Sequence, residues 1–338
     1  MSTQTVAPAA TASVVGPPER ARASGGPSPR TLLVTLLVLV VASVVAGLVS
    51  GSTTVLTQAL VTGLLTGGVY SLVAMGLTLV YGVLHIINFA NGAMVALAMY
   101  ITFAVVDATG MHPYATLLIT VPAMFLLGAA MQTTLLNPIM KAPIQTQLLV
   151  TIGLALAIEN GLLLVFGPNP RSVRLPGGAG VSILGATVDT SRIFAFAGAL
   201  VLVAVLWIVL QRTPVGTAIR SVAANPEGAR LVGIDIRSIY VLTFALGAAA
   251  AGAAGTLVAP FTTIEPTAGS VFNLTAFVVV VLGGMGNVPG ALVGGLIVGL
   301  TEQLGGLILP GQSPLLAVFA VFLVVLFAKP RGIFGRAS

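Results

Sequence analysis

TLLVTLLVLVVASVVAGLV, residues 31–49, offers no polar face to any neighbour. A helix crosses a hydrocarbon core of about 30 Å with about 20 residues, whereas the strands of a membrane barrel alternate apolar and polar positions. A run apolar on every face is therefore a spanning helix, whose backbone groups are satisfied within the segment itself. Working outward, comparable segments lie at 55–80, 86–106, 114–136, 146–166, 193–211, 239–259, 271–282, 291–309 and 314–328. The expected fold is an all-α polytopic membrane protein of about ten transmembrane or half-membrane helices over 31–330. Residues 1–30, rich in Ala, Pro, Ser and Thr, read as a disordered tail, and 331–338 as a short basic one. A cleaved secretory signal is the competing reading of the N-terminus, although its apolar core would be shorter and nearer the start.

Only 7% of the 338 residues are charged, against about 25% in a soluble domain. That excludes a soluble enzyme core. The net charge of +6 does not point to nucleic acid here, because the placement of the cations matters more than their sum. With the N-terminus cytoplasmic, Arg20, Arg22, Arg30, Lys141, Arg212, Arg220, Arg230, Arg237, Lys329, Arg331 and Arg336 fall inside, and only Arg171, Arg174 and Arg192 outside. Both termini are then expected in the cytoplasm. The absence of cysteine removes disulfides and thiol chemistry, and His85 and His112 are too few and too far apart for an imidazole metal cluster. Lys141 and Lys329 follow Met140 and Ala328, so the chain holds no phosphate-binding P-loop.

Two stretches depart from plain spanning helix. GLTLVYGVLHIINFANG at 76–92 is interrupted by glycines and asparagines, and LGGMGNVPG at 282–290 carries four glycines and a proline. Unwound backbone at membrane depth is tolerated where it is buried in protein or lines a wet cavity. Glycines of this kind also serve close helix packing, and both readings stand at this point. GAMV at 92–95 and GALV at 290–293 hint at a duplicated half. The outward 167–192 segment holds enough Gly and Pro for a short hairpin or irregular cap.

The most polar interior segment is RTPVGTAIRSVAANPEGARLVGIDIR at 212–237. Thr213 before Pro214 is a helix N-cap, and Asn225, Pro226 and Glu227 repeat the device with an acid in the positive first turn. A second short helix is expected from Pro226 to Val232, stopping at Gly233, with Ala229 and Val232 on one apolar face. So short a helix needs packing from another surface. Gly228 and Ala229 are expected to face that partner.

Intramembrane ionisable and amide groups complete the candidates. Glu159 with Asn160 and Glu302 with Gln303 either line a pathway, where a carboxylate meets a substrate ammonium, or reach interfacial water near the span ends. Asn88, Asn91, Asn273 and Asn287 either present amides to a substrate or satisfy backbone freed by nearby glycines. Trp207, Tyr240 and Tyr114 are expected interfacial anchors.

Four stretches, GLTLVYGVLHIINFANGAM at 76–94, TIGLALAIENGLLLVFGPNPRSV at 151–173, RTPVGTAIRSVAANPEGARLVGID at 212–235 and AFVVVVLGGMGNVPGALVGGLIVGL at 276–300, resemble membrane subunits of branched-chain amino acid ABC importers. The chain departs from the usual wording at Asn91 and Glu159. The resemblance implies a type II permease of the vitamin B12-importer kind. Its expected partners are two cytoplasmic ATPase subunits, a second permease, identical or homologous, and an external solute-binding protein. It also makes Asn225, Pro226, Glu227, Gly228, Ala229, Arg230, Leu231, Val232 and Gly233 the helix that seats in an ATPase groove. The implied location is the cytoplasmic membrane of a prokaryote. Branched-chain or other apolar amino acids are the first cargo reading, and urea or short amides the second. An ion-coupled transporter using Glu159 and Glu302 and a passive channel are rivals from other classes, but neither gives the capped cytoplasmic helix a task.

Overall fold

The computed structural model describes Ser43, Gly47, and residues 51–175, 180–183, 185–309, 314–329 and 332–334. The expected first span at 31–49, apart from Ser43 and Gly47, lies outside the described residues. So do the N-terminal tail, the 310–313 loop and most of the C-terminal tail.

The helices are α1 (Thr53–Leu84), α2 (Asn91–Thr109), α3 (Leu117–Met131), α4 (Ile144–Phe166), α5 (Thr190–Arg212), α6 (Pro214–Ala224), α7 (Pro226–Leu231), α8 (Ile236–Val258), α9 (Ala268–Gly283), α10 (Val288–Ile308) and α11 (Pro314–Ala328). α3 continues through a π-helical turn, Gln132–Leu136, and a 3-10 turn, Asn137–Ile139. Among the described residues, seven helices are long and apolar enough to cross a membrane, and Ala268–Gly283 and Pro314–Phe327 are shorter apolar helices. The hairpin expected within 167–192 forms as β1 (Gly180–Ile183) and β2 (Ala186–Asp189), paired antiparallel with Val181 opposite Val188.

α1 and α8 form the centre of the bundle and α4 its outer edge: 83% and 78% of their most apolar windows are buried, against 11% for α4. In lipid, helix association rests on close packing, because acyl chains are as apolar as leucine. α1 and α10 meet through small residues along their whole contact. A Cβ on Gly67 would lie 2.8 Å from the Gly295 carbonyl oxygen, and one on Gly63 2.9 Å from that of Gly299. The Ser71 hydroxyl ties the same seam by donating to the Leu292 carbonyl at 2.8 Å.

The two expected breaks resolve differently. Gly76 and Gly82 do not interrupt α1, which runs through both to Leu84. They are packing positions: a Cβ on Gly76 would sit 2.7 Å from the Gly247 carbonyl oxygen, and one on Gly82 3.1 Å from Gly286 Cα. The helix ends at His85, which takes a left-handed φ of 58° and donates its N–H to Tyr81. The non-helical stretch is therefore confined to 85–90. It climbs beside α9, with Phe89 stacked on Phe277 at 5.0 Å and Gly92 against the Gly269 carbonyl. α2 thus begins deep in the bundle rather than at its end. The 282–290 stretch is instead a turn between antiparallel helices: α9 ends at Gly283, Gly284 and Gly286 take φ of 99° and 80°, and α10 starts at Val288.

Candidate functional site

α5 places the site's two halves at opposite ends. Its first residue follows the β1–β2 hairpin and its last leads into α6 and α7, about 35 Å away at 1.5 Å per residue over a 23-residue helix.

At the α6–α7 end the caps form as the residue types require. The Thr213 hydroxyl accepts from the Gly216 N–H at 3.1 Å, and Asn225 Oδ1 accepts from the Gly228 N–H at 3.0 Å. Gly216 lets α6 fold back on α5, since a Cβ there would strike the Val209 and Leu210 carbonyls. α7 closes with two reverse bonds, from the Gly233 N–H to Arg230 and from the Ile234 N–H to Ala229, around a Gly233 φ of 85°. Asp235 then caps α8 by accepting from the Arg237 N–H, and the Ser238 hydroxyl holds its carboxyl below the usual range.

The expected faces of α7 need correction. Ala229 is 4% exposed and packs into the chain's own core, so it does not face a partner, and Val232 is 76% exposed and does not share its face. The reason is length: the helix stops at Leu231, and Val232 already has non-helical backbone leading into the left-handed glycine. Gly228 is hemmed in by the Asn225 side chain at 3.1 Å. The surface offered outward is Leu231, 89% exposed, with Val232, Glu227 and Arg230. Replacing Asn225 with Ala removes the α7 cap and should cost about 0.5–2 kcal/mol locally. Proteolysis or hydrogen exchange across 225–234 should accelerate while the spans stay protected; an unchanged rate would show that the cap is dispensable.

At the hairpin end lies a cavity of about 380 Å³ between α1, the start of α5, the α8–α9 loop and α10. Its polar wall is Thr66, Tyr70, Arg192, Glu265, Glu302 and Gln303. α1 and α10 run antiparallel, and side chains lean toward each helix's own N-terminus. Tyr70 and Glu302 are thereby directed at one another across the cavity. Arg192 Nη1 donates to Thr66 Oγ1 at 3.0 Å, its guanidinium lies 4.9 Å from the Phe261 ring centre, and it couples electrostatically to Glu302. Val69, Phe261 and Phe272 supply the apolar wall, with Phe272 edge-on to Tyr70 at 6.4 Å. One cavity thus presents an acid, a base and an apolar surface together. The Arg171–Ile264 backbone bridge pins the loop that roofs it, with both N–H···O distances 2.9 Å.

The structure brings Glu302 and Gln303 into this cavity but not Glu159. That acid sits half-exposed on α4, which packs against α2 and the π-helical turn on another side of the bundle. Asn160 turns its amide back to the Leu156 carbonyl. Asn88, Asn91 and Asn287 lie at helix junctions and Asn273 within α9, and three of the four commit their oxygens to backbone. Asn88 accepts from Ala90 at 3.0 Å, Asn273 from Gly92 at 3.2 Å, and Asn287 from Gly290 at 3.0 Å. Asn91 is buried with its Nδ2 unpartnered. Sequence reasoning passed over Tyr70, which stands in an apolar run, and Arg192, which entered only as an outer cation. Nothing short of the α1–α10 register would have joined either to Glu302.

Residues 59–328 match the family model described as branched-chain amino acid transport system / permease component. The chain is 32% identical over 291 residues to the high-affinity branched-chain amino acid transport system permease protein LivH of Salmonella typhimurium, covering 80% of this chain and 92% of that protein. LivH of Escherichia coli K12 is 31% identical over 286 residues and BraD of Pseudomonas aeruginosa 29% over 288, each covering 80% of this chain and 92% of its own length. A helical bundle with membrane-spanning segments throughout and a family match over most of its length settle the class together: this chain belongs to the branched-chain amino acid transport permease family.

Proposed function

We propose that the chain is the permease subunit of an ATP-driven importer that moves branched-chain or other apolar amino acids across the cytoplasmic membrane of a prokaryote. Both termini and α6–α7 face the cytoplasm, in keeping with the cation placement. The observation that carries the reading is α7, a rigidly capped helix outside the spans whose Leu231 and Val232 project without cover. Partner ATPases, holding ATP and magnesium, seat on that surface. A second permease and an external solute-binding protein complete the assembly.

The outer cavity suits the first contact with cargo inside the membrane. Glu302 is placed for an ammonium, Arg192 for a carboxylate, and Phe261 and Phe272 for an apolar side chain. Deeper, Asn88, Asn91 and Asn273 surround the buried start of α2, where the unpartnered Nδ2 of Asn91 is a donor for a carboxylate. Asn287 belongs to the far turn, and Glu159 to a separate exposed face that a second permease would cover. The test is uptake of labelled leucine by the reconstituted assembly with its binding protein. Glu302→Gln and Arg192→Gln should each lower uptake on the order of tenfold, the scale of one charged hydrogen bond, with the ATPases still bound. Unaltered uptake in both variants would remove the cavity from the pathway.

A further inference from the structure

Away from that cavity, α3 and α8 line an open groove of about 480 Å³. The helices are in tight contact at one level. A Cβ on Gly128 would stand 2.5 Å from Ala248 Cβ, and one on Gly252 2.7 Å from Met124 Cγ. Toward the α6–α7 end their shared surface opens into a wedge. Phe125 and Ala129 form one wall, and Val241, Leu242 and Ala245 the other. The mouth is formed by Thr133 on one side and Arg237 and Ser238 on the other. From Arg237 to Ala245 the groove runs about 12 Å along the helix axis, eight residues at 1.5 Å each.

The groove therefore has a polarity gradient parallel to the spans, with one cation at the surface and only apolar side chains at depth. The Arg237 guanidinium has no hydrogen-bond partner among the described residues, and the bond this residue makes to Asp235 is through its backbone N–H. Asp235 lies at the same mouth and attracts the Arg237 charge through space, but its carboxylate hydrogen bonds go to the Ser238 hydroxyl at 2.5 Å and the Arg237 backbone N–H at 3.1 Å. An anion with an apolar tail matches this arrangement, whereas a neutral acyl chain alone leaves the guanidinium unpaired. Basic pockets between spanning helices bind anionic lipid headgroups by the same logic.

We propose that the α3–α8 wedge is a binding site for one anionic phospholipid, its phosphate on Arg237 and an acyl chain between Ala129 and Val241. Placing this lipid in the inner leaflet rests on the orientation given above, but selectivity at the groove does not. The test uses the full chain with its copurified subunits, delipidated in detergent and offered equal phosphatidylglycerol and phosphatidylcholine, with retained lipid counted by native mass spectrometry. The native chain should hold phosphatidylglycerol in roughly fivefold preference, the ratio one basic residue gives at an anionic surface. Arg237→Gln should bring that preference to parity, and Val241→Trp, which fills the groove, should abolish retention of both. Equal retention by the native chain, a preference unchanged in Arg237→Gln, or retention unchanged in Val241→Trp overturns the site. The chain has no native cysteine, so a single Ala129→Cys variant reports any polypeptide in the groove. Crosslinking of that residue to a subunit would equally overturn the lipid assignment.

Discussion

Substituting aspartate for Leu231 and Val232 together is expected to strip the ATPase subunits from the assembly and abolish ATP-driven uptake, while the permease remains inserted. Both side chains are largely exposed, Leu231 on the last turn of a helix held at both ends by hydrogen-bonded caps and Val232 just past it. Neither contributes to the chain's own core, so their loss leaves the bundle intact. Apolar anchors that fill a partner's pocket typically carry about 2 kcal/mol or more of an interface, which is roughly thirtyfold in association. A buried unpaired charge adds a desolvation penalty. The measurement is copurification of the ATPases in mild detergent alongside uptake in vesicles. Retention of both at native levels would sink the proposed coupling role. Ala229→Asp is the instructive contrast: it strikes the core, so it should lower stability rather than association alone.

Gly67→Val should have the largest effect on the fold. The added atoms would enter the space held by the Gly295 carbonyl and the Leu296 Cα, and backbone on neither helix can give way cheaply. Overpacking of this kind costs about 1–3 kcal/mol and sometimes more. In a bilayer no hydrophobic gain offsets it, since helix association depends on packing. The variant should unfold at a markedly lower temperature in detergent than the native chain. Leu64→Val, three positions earlier on an exposed surface, should leave the transition where it is. Equal melting of the two variants would show that the α1–α10 seam tolerates separation. Because Tyr70 and Glu302 meet across this seam, Gly67→Val should also disturb the outer cavity.

Much of this was legible in local sequence. The described spans fall within a few residues of those expected, since each rests on a continuous apolar run. Thr213–Pro214, Asn225–Pro226–Glu227 and Gly233 act where they were expected to, because a cap bonds backbone within three or four residues of itself. The faces of α7 were less legible. Helical spacing put Ala229 and Val232 together, but the helix is too short to carry that spacing to Val232. The interrupted 76–92 stretch shows the same limit. Glycine inside an apolar run has one composition whether it ends a helix or admits a neighbour, and Gly76 and Gly82 admit neighbours more than 160 residues away in sequence.

What the sequence by itself determined is the solvent of each segment and the local geometry of its ends: apolar runs dictate spanning helices, and Ser, Thr, Asn, Asp, Pro and Gly at their boundaries dictate caps and turns. Only the tertiary structure decided which side chains converge. Thr66, Tyr70, Arg192, Glu265 and Glu302 come from four separate parts of the chain, and they meet because glycine-lined seams set the depth and register of antiparallel helices. That register depends on pairwise contact between distant residues, a quantity no local pattern encodes.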